Sequence, residues 1–128
     1  MKLRPPSVPV ITVDPYFSVW SAADRLYDKN TEHWTGAPNT IKGTFTFDDK
    51  TYRFMGEGDE ESVEQVFLDV NALCTRYLFK NDLFLLSVNF FTPLFTDDLY
   101  RLSRPVSYVQ IKCTPFDSDS HKMFVEFE

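Results

Sequence analysis

Two tryptophans, a tyrosine and a histidine fall close together near the start of the chain: Tyr16, Trp20, His33 and Trp34. Aromatic faces beside a loop histidine are side chains on which a small polar ligand, such as a sugar or an amino acid, can stack and hydrogen-bond. The same residues equally suit anchoring a long loop against a core, or lining a contact with another domain. Both readings stand on the sequence alone, and these four are the candidate ligand-binding or interdomain residues.

Other reactive types are poorly placed for chemistry. Asp97-Asp98 and Glu60-Glu61 are adjacent pairs, so in extended chain their carboxylates point to opposite faces rather than into one cleft. They read as solvated turns. No nucleophile elbow, phosphate loop, zinc-protease helix or dinucleotide fingerprint occurs, so no catalytic residue is assigned. Cys74 and Cys113 lie outside any CxxC pair, and with two histidines in the chain no zinc-ligand set assembles. Both cysteines sit in apolar strand-like runs, where a thiol packs as a small hydrophobe, and their pairing is left open. No metal and no cofactor is expected.

Charge narrows the partners further. The net charge is -6, from 19 acidic and 13 basic residues, without a basic run. Such a surface repels a phosphate backbone and an anionic membrane, so neither nucleic acid nor a membrane surface is an expected partner. The run 83–91 is broken by Ser87 and Asn89 and is too short to span a bilayer. Residues 1–6 hold no apolar signal-peptide core.

The elements that must position these residues are strands. Thirteen Phe, six Tyr and two Trp make up 16% of the 128 residues, and aromatic side chains favour pleated, half-buried surfaces. The apolar period is two along most of the chain. Strands are predicted near 8–13 and 16–20, and a hairpin at 44–55 turns on Asp48-Asp49. Further strands carry Val66, Leu68 and Val70; Leu73, Thr75, Tyr77 and Phe79; and Phe84, Leu86, Val88 and Phe90. The last two hold Val109, Ile111 and Cys113, then Met123, Val125 and Phe127. The stretch 21–39 reads as a long loop with one helical turn at 22–26, and 92–105 as irregular, with an ion pair tying Arg104 to Asp97-Asp98. Seven to nine strands without a regular helix predict an all-β, antiparallel β-sandwich. Residues 1–40 form an extended segment with the aromatic loop, and 41–128 the sandwich, incomplete at its C-terminal edge. Alternation still runs at Glu128, so the natural chain is expected to continue, and an open edge strand makes a dimer a further expectation.

Long stretches of the text also resemble a known family. Arg4-Pro5-Pro6-Ser7-Val8-Pro9, 11–21 (Ile11-Thr12-Val13-Asp14-Pro15-Tyr16-Phe17-Ser18-Val19-Trp20-Ser21), Ala23-Asp24-Arg25-Leu26-Tyr27-Asp28 and His33-Trp34-Thr35-Gly36 are similar to the N-terminus of the glutaminase A-like family. Leu94-Phe95-Thr96-Asp97-Asp98-Leu99 and 102–108 resemble the next N-terminal module of that family. The resemblance implies an accessory β-sandwich preceding a helical-barrel module of six-hairpin type, in secreted or cell-envelope proteins of bacteria and fungi. Some of these deamidate glutamine to glutamate. It implies that the partner of this sandwich is the helical-barrel module of the same polypeptide, and it places no catalytic residue on these 128 positions. The alternative is a carbohydrate- or peptide-binding module of a glycoside-hydrolase-like enzyme.

Overall fold

The computed structural model describes residues 4–104 and 106–128, and over them the chain is almost entirely strand. In order, the elements are β1 (Val8–Thr12), β2 (Ser18–Ser21), β3 (Thr31–Glu32), β4 (Pro38–Asn39), β5 (Gly43–Phe47), β6 (Lys50–Met55) and β7 (Glu61–Ser62). Then follow β8 (Glu64–Val70), β9 (Cys74–Lys80), β10 (Phe84–Phe91), α1 (Leu99–Leu102), β11 (Tyr108–Pro115) and β12 (Met123–Phe127). Three of these strands, β3, β4 and β7, are two residues long and lie in stretches the periodicity assigns to loop and turn. The remaining strands fall within the number expected.

The strands make three four-stranded sheets, ordered β1-β2-β3-β4, β11-β10-β9-β8 and β12-β5-β6-β7. Pairing is antiparallel except between β6 and β7. The second and third sheets face each other, and aromatic rings bridge them. Phe84 lies 5.0 Å from Phe45 and 4.9 Å from Phe47 between ring centroids, and Phe54 lies 5.9 Å from Phe79. Val8, Val10, Val19 and Leu26 join the same buried cluster from the N-terminal side. The architecture is an all-β sandwich, driven together by apolar area removed from water.

Side-chain alternation explains most of the core. Tyr77 and Phe79 on β9, and Phe84, Leu86, Val88 and Phe90 on β10, are all buried. Two expected members are not. A bulge between Gln65 and Phe67 drops Val66 out of register, leaving it exposed, while Leu68 and Val70 pack against the core. Leu73 belongs to the loop before β9, not to its inner row, and is half-exposed.

The helical turn expected at 22–26 is absent, because the loop's polar groups are satisfied in other ways. Gln65 Oε1 accepts from the Leu26 amide at 2.9 Å, and the Asp28 carboxylate accepts from the Arg25 amide at 3.2 Å. Arg53 Nη1 donates to the Tyr27 carbonyl at 2.6 Å and also to the Gly56 carbonyl. A short helix appears instead at α1, where the Asp98 side chain caps the Arg101 amide at 3.1 Å. The ion pair of this loop joins Asp98 to Arg101 at 3.3 Å rather than to Arg104, which stacks over Tyr100. Pro105, part of the expected loop tie, lies outside the described residues.

Cys74 and Cys113 are both free thiols. Across β10, Cys74 stands opposite Phe91 and Cys113 opposite Leu86, five positions apart, or about 17 Å along the strand. That separation exceeds what a disulfide can bridge.

Candidate functional site

The four aromatic candidates are positioned by the turn between β1 and β2. Asp14 Oδ1 accepts from the amides of Tyr16 at 2.7 Å and Phe17 at 2.8 Å, an Asx turn that leaves the Pro15 carbonyl projecting outward. Two donors from the loop between β3 and β4 converge on that carbonyl. Trp34 Nε1 donates at 2.6 Å and His33 Nε2 stands at 3.1 Å. For His33 to donate through Nε2, its Nδ1 must accept, and Nδ1 does have donors: the Thr35 amide at 3.3 Å and the Thr35 hydroxyl at 2.9 Å. Both ring nitrogens are thus occupied in tying one loop to another, which leaves His33 no lone pair for a substrate proton in this arrangement.

Trp20 and Trp34 do come together. With Thr12, Asp14, Pro15 and Ser18 they line an open depression of about 320 Å³. The indole N–H of Trp20 and the hydroxyl of Ser18 are buried beneath it without a hydrogen-bond partner among the described residues. Tyr16 does not join them. It stands 93% exposed at the turn's tip, while Trp34 is 63% exposed and its ring lies 5.5 Å from that of His33. The arrangement is a projecting aromatic corner fixed by backbone and histidine hydrogen bonds, suited to contact rather than to proton transfer.

A second cluster escapes the sequence reading. His121 bridges two carboxylates, with Nδ1 2.8 Å from Asp48 Oδ2 and Nε2 2.5 Å from Asp117 Oδ1, and its ring lies 4.5 Å from Phe47. Asp48 sits at φ 54° in the β5–β6 turn, a left-handed conformation that aspartate tolerates, and also accepts from the Lys122 amide at 3.1 Å. The hydrogen bond to Asp117, then that to Asp48, raises the His121 pKa above its ordinary value. The bond from His121 holds both carboxylates below theirs, helped at Asp48 by the Lys122 amide. This is a carboxylate–histidine–carboxylate clamp between the β5–β6 turn and the loop entering β12. The only textual signal was the i,i+4 spacing of Asp117 and His121, since Asp48 lies 73 positions away.

A third feature is a half-enclosed cavity of about 380 Å³ beneath α1, which Arg101 and Arg104 help to line. Among the described residues no group of three or more His, Cys, Asp or Glu is placed to hold a metal ion, and no helix is long and apolar enough to cross a membrane.

The sandwich also leaves inner surface uncovered. In register, Met123, Val125 and Phe127 of β12 stand beside Phe47, Phe45 and Gly43, and Val109, Ile111 and Cys113 of β11 beside Phe90, Val88 and Leu86. These positions share the core-facing side of their sheets. Yet all five residues of β12 are exposed, with Phe127 at 42%, and Val109 is exposed too.

Residues 1–67 match the family model described as Domain of unknown function (DUF4964), and residues 74–126 match Domain of unknown function (DUF5127). Over 131 aligned residues the chain is 26% identical to Glutaminase A of Aspergillus oryzae. The alignment covers 95% of this chain and 19% of that protein, so the chain spans about a fifth of its length. No solved structure matches the chain.

Proposed function

We propose that this chain, which belongs to the DUF4964 family, serves as the accessory β-sandwich of a longer glutaminase-like amidohydrolase. In this reading it supplies a docking surface, and the hydrolysis of glutamine to glutamate and ammonia takes place in the helical-barrel module of the same polypeptide. The observation that supports the reading most is the uncovered core-facing row of β11 and β12. Val109, Met123, Val125 and Phe127 are 36 to 42% exposed although their side of each sheet faces the core. Burying the remainder of four such side chains would stabilise a complex by roughly 3 kcal/mol, at about 2 kcal/mol for each full side chain. An exposed apolar surface of this kind marks an interaction site. The alignment of nearly the whole chain with a fifth of Glutaminase A supports a partner within a longer, glutaminase-like polypeptide.

The corner built by Tyr16, Trp20, His33 and Trp34 is the second proposed contact. The Tyr16 and Trp34 rings project, and the geometry is held by the hydrogen bonds of His33 and Trp34 to Pro15, so it needs no rearrangement to dock. The test is ammonia release from L-glutamine by the 128-residue chain and by the longer natural protein. Activity in the longer protein alone supports the accessory role. Turnover by the chain alone overturns it.

A further inference from the structure

The cavity beneath α1 has a charge character opposite to that of the chain. Its volume, about 380 Å³, is of the size that holds a small organic ligand. Leu73, Phe95, Leu102 and Tyr108 give it apolar walls, and Arg101 and Arg104 bring two guanidinium groups to it. No aspartate or glutamate lines it among the described residues, in a chain whose 19 acidic residues outnumber its 13 basic ones. A cavity whose only charged lining groups among the described residues are two cations selects for an anion.

Both arginines are held in place yet retain free donors. Arg101 engages Asp98 through Nε at 3.3 Å, and its guanidinium lies 5.7 Å from the centre of the Phe95 ring. The terminal nitrogens are the part of the fork that binds a carboxylate side-on. Arg104 lies 4.6 Å over the Tyr100 ring, and no carboxylate among the described residues is paired with it. Stacking on an aromatic ring orients a guanidinium without consuming its N–H groups. α1 itself is a single turn capped by Asp98 that carries Arg101, and Arg104 follows directly after its C-cap Ser103, so both arginines reach the cavity from one short segment.

We propose that this cavity binds a small monocarboxylate with an apolar body, its carboxylate on Arg101 and Arg104 and its hydrocarbon portion against Leu73, Phe95 and Leu102. The apolar walls disfavour a compact, strongly hydrated anion such as phosphate, which would gain nothing from them. The two like charges exclude amines. The site borders the Tyr16–Trp34 corner at Thr12, which lines both, and meets β11 only at Tyr108, one position from the core-facing Val109; its test reads ligand binding by the chain alone and so is independent of the docking proposed above.

The test is a titration of the isotopically labelled chain with hexanoate, 1-hexanol and inorganic phosphate, followed by NMR of backbone amides and arginine Nε–H groups. Hexanoate should give saturable shifts confined to residues 92–104, Leu73, Val106, Tyr108 and the two arginines, at millimolar concentrations. 1-Hexanol and phosphate should each bind at least about tenfold more weakly. Arg104→Gln and Arg101→Gln should each weaken hexanoate about tenfold, the loss of one charge-assisted contact. Their spectra away from the cavity should remain those of the unaltered chain. The proposal is overturned if hexanoate and 1-hexanol bind alike, or if phosphate displaces hexanoate at equal concentration. It is equally overturned if both folded variants bind hexanoate as before, or if no saturable shift appears up to roughly 50 mM, far above the dissociation constant expected of such a site.

Discussion

Replacing Phe84 by leucine tests whether aromatic contacts between the two facing sheets hold the sandwich together. Phe84 opens β10, is fully buried, and lies 5.0 Å from Phe45, 4.9 Å from Phe47 and 5.4 Å from Tyr52 between ring centroids. Leucine keeps the site apolar and loses little volume, a change that costs about 0.5 to 1 kcal/mol. Three ring contacts disappear as well, each contributing about 0.5 kcal/mol beyond burial. The sum is about 2 kcal/mol, or near 7 °C in Tm for a domain of this size. Phe84→Ala would add a cavity and cost about 3 to 5 kcal/mol. The assay is urea unfolding of the chain followed by far-UV circular dichroism, with Phe124→Leu as the reference. Phe124 points away from the core on the edge strand β12 and is 59% exposed, so its replacement should change stability by less than about 0.5 kcal/mol. If Phe84→Leu falls within about 0.5 kcal/mol of Phe124→Leu, with equal urea slopes, the two sheets are not held by these rings and the reasoning fails.

Other expectations follow from local geometry. The His121 clamp makes stability depend on pH from both sides. The raised His121 pKa gives a contribution that is whole below its ordinary value of 6.5 and is lost as pH rises through the higher folded value. The lowered pKa values of Asp48 and Asp117 give one that is present above 3.8 and is lost as pH falls through their folded values. Urea midpoints should therefore peak between these limits, and His121→Ala should flatten the alkaline fall; an unchanged fall would remove His121 as its cause. Gly56 adopts φ 78°, and a Cβ there would collide with the Ile41 carbonyl oxygen, so Gly56→Ala should cost about 2 to 3 kcal/mol by the same urea assay. A cost under about 0.5 kcal/mol would mean that the backbone there yields freely. β12 is an edge strand with apolar side chains on both faces, so the isolated chain is proposed to dimerise through it at high concentration; sedimentation showing a monomer throughout would count against this.

Much of the sandwich could be read from period-two alternation, because β9 and β10 lie in the middle of a sheet and their inner faces meet another sheet. The same pattern in Met123, Val125 and Phe127 predicts the same burial and does not obtain it. Alternation tells which face of a strand points inward; it carries no information on whether anything lies opposite. The reverse holds at Thr44 and Thr46, polar residues of β5 that are nonetheless buried, with Thr46 bonded to the Thr51 hydroxyl at 2.9 Å. α1 was invisible to periodicity since four residues complete barely one turn, although Asp98 is of the type that caps a helix start.

The site residues show a similar division. Composition drew attention to Tyr16, Trp20, His33 and Trp34, and proximity of three of them is real. What residue types cannot reveal is that His33 and Trp34 spend hydrogen bonds on one backbone carbonyl, Pro15, at a turn eighteen positions upstream of His33. Long-range partners of that kind, like Asp48 for His121, are set by topology rather than by local text.

The proposed docking of this sandwich through its uncovered inner face on the rest of a longer glutaminase-like protein has a direct readout in hydrogen exchange. Amide exchange would be followed across β11 and β12 in the isolated chain and in the longer natural protein. Amides of β12 should exchange fast when the chain is alone and slow by at least about tenfold in the longer protein, while β9 and β10 are protected in both. Equal exchange of β11 and β12 in the two would contradict it, since the apolar row would then remain uncovered in the protein it is proposed to serve.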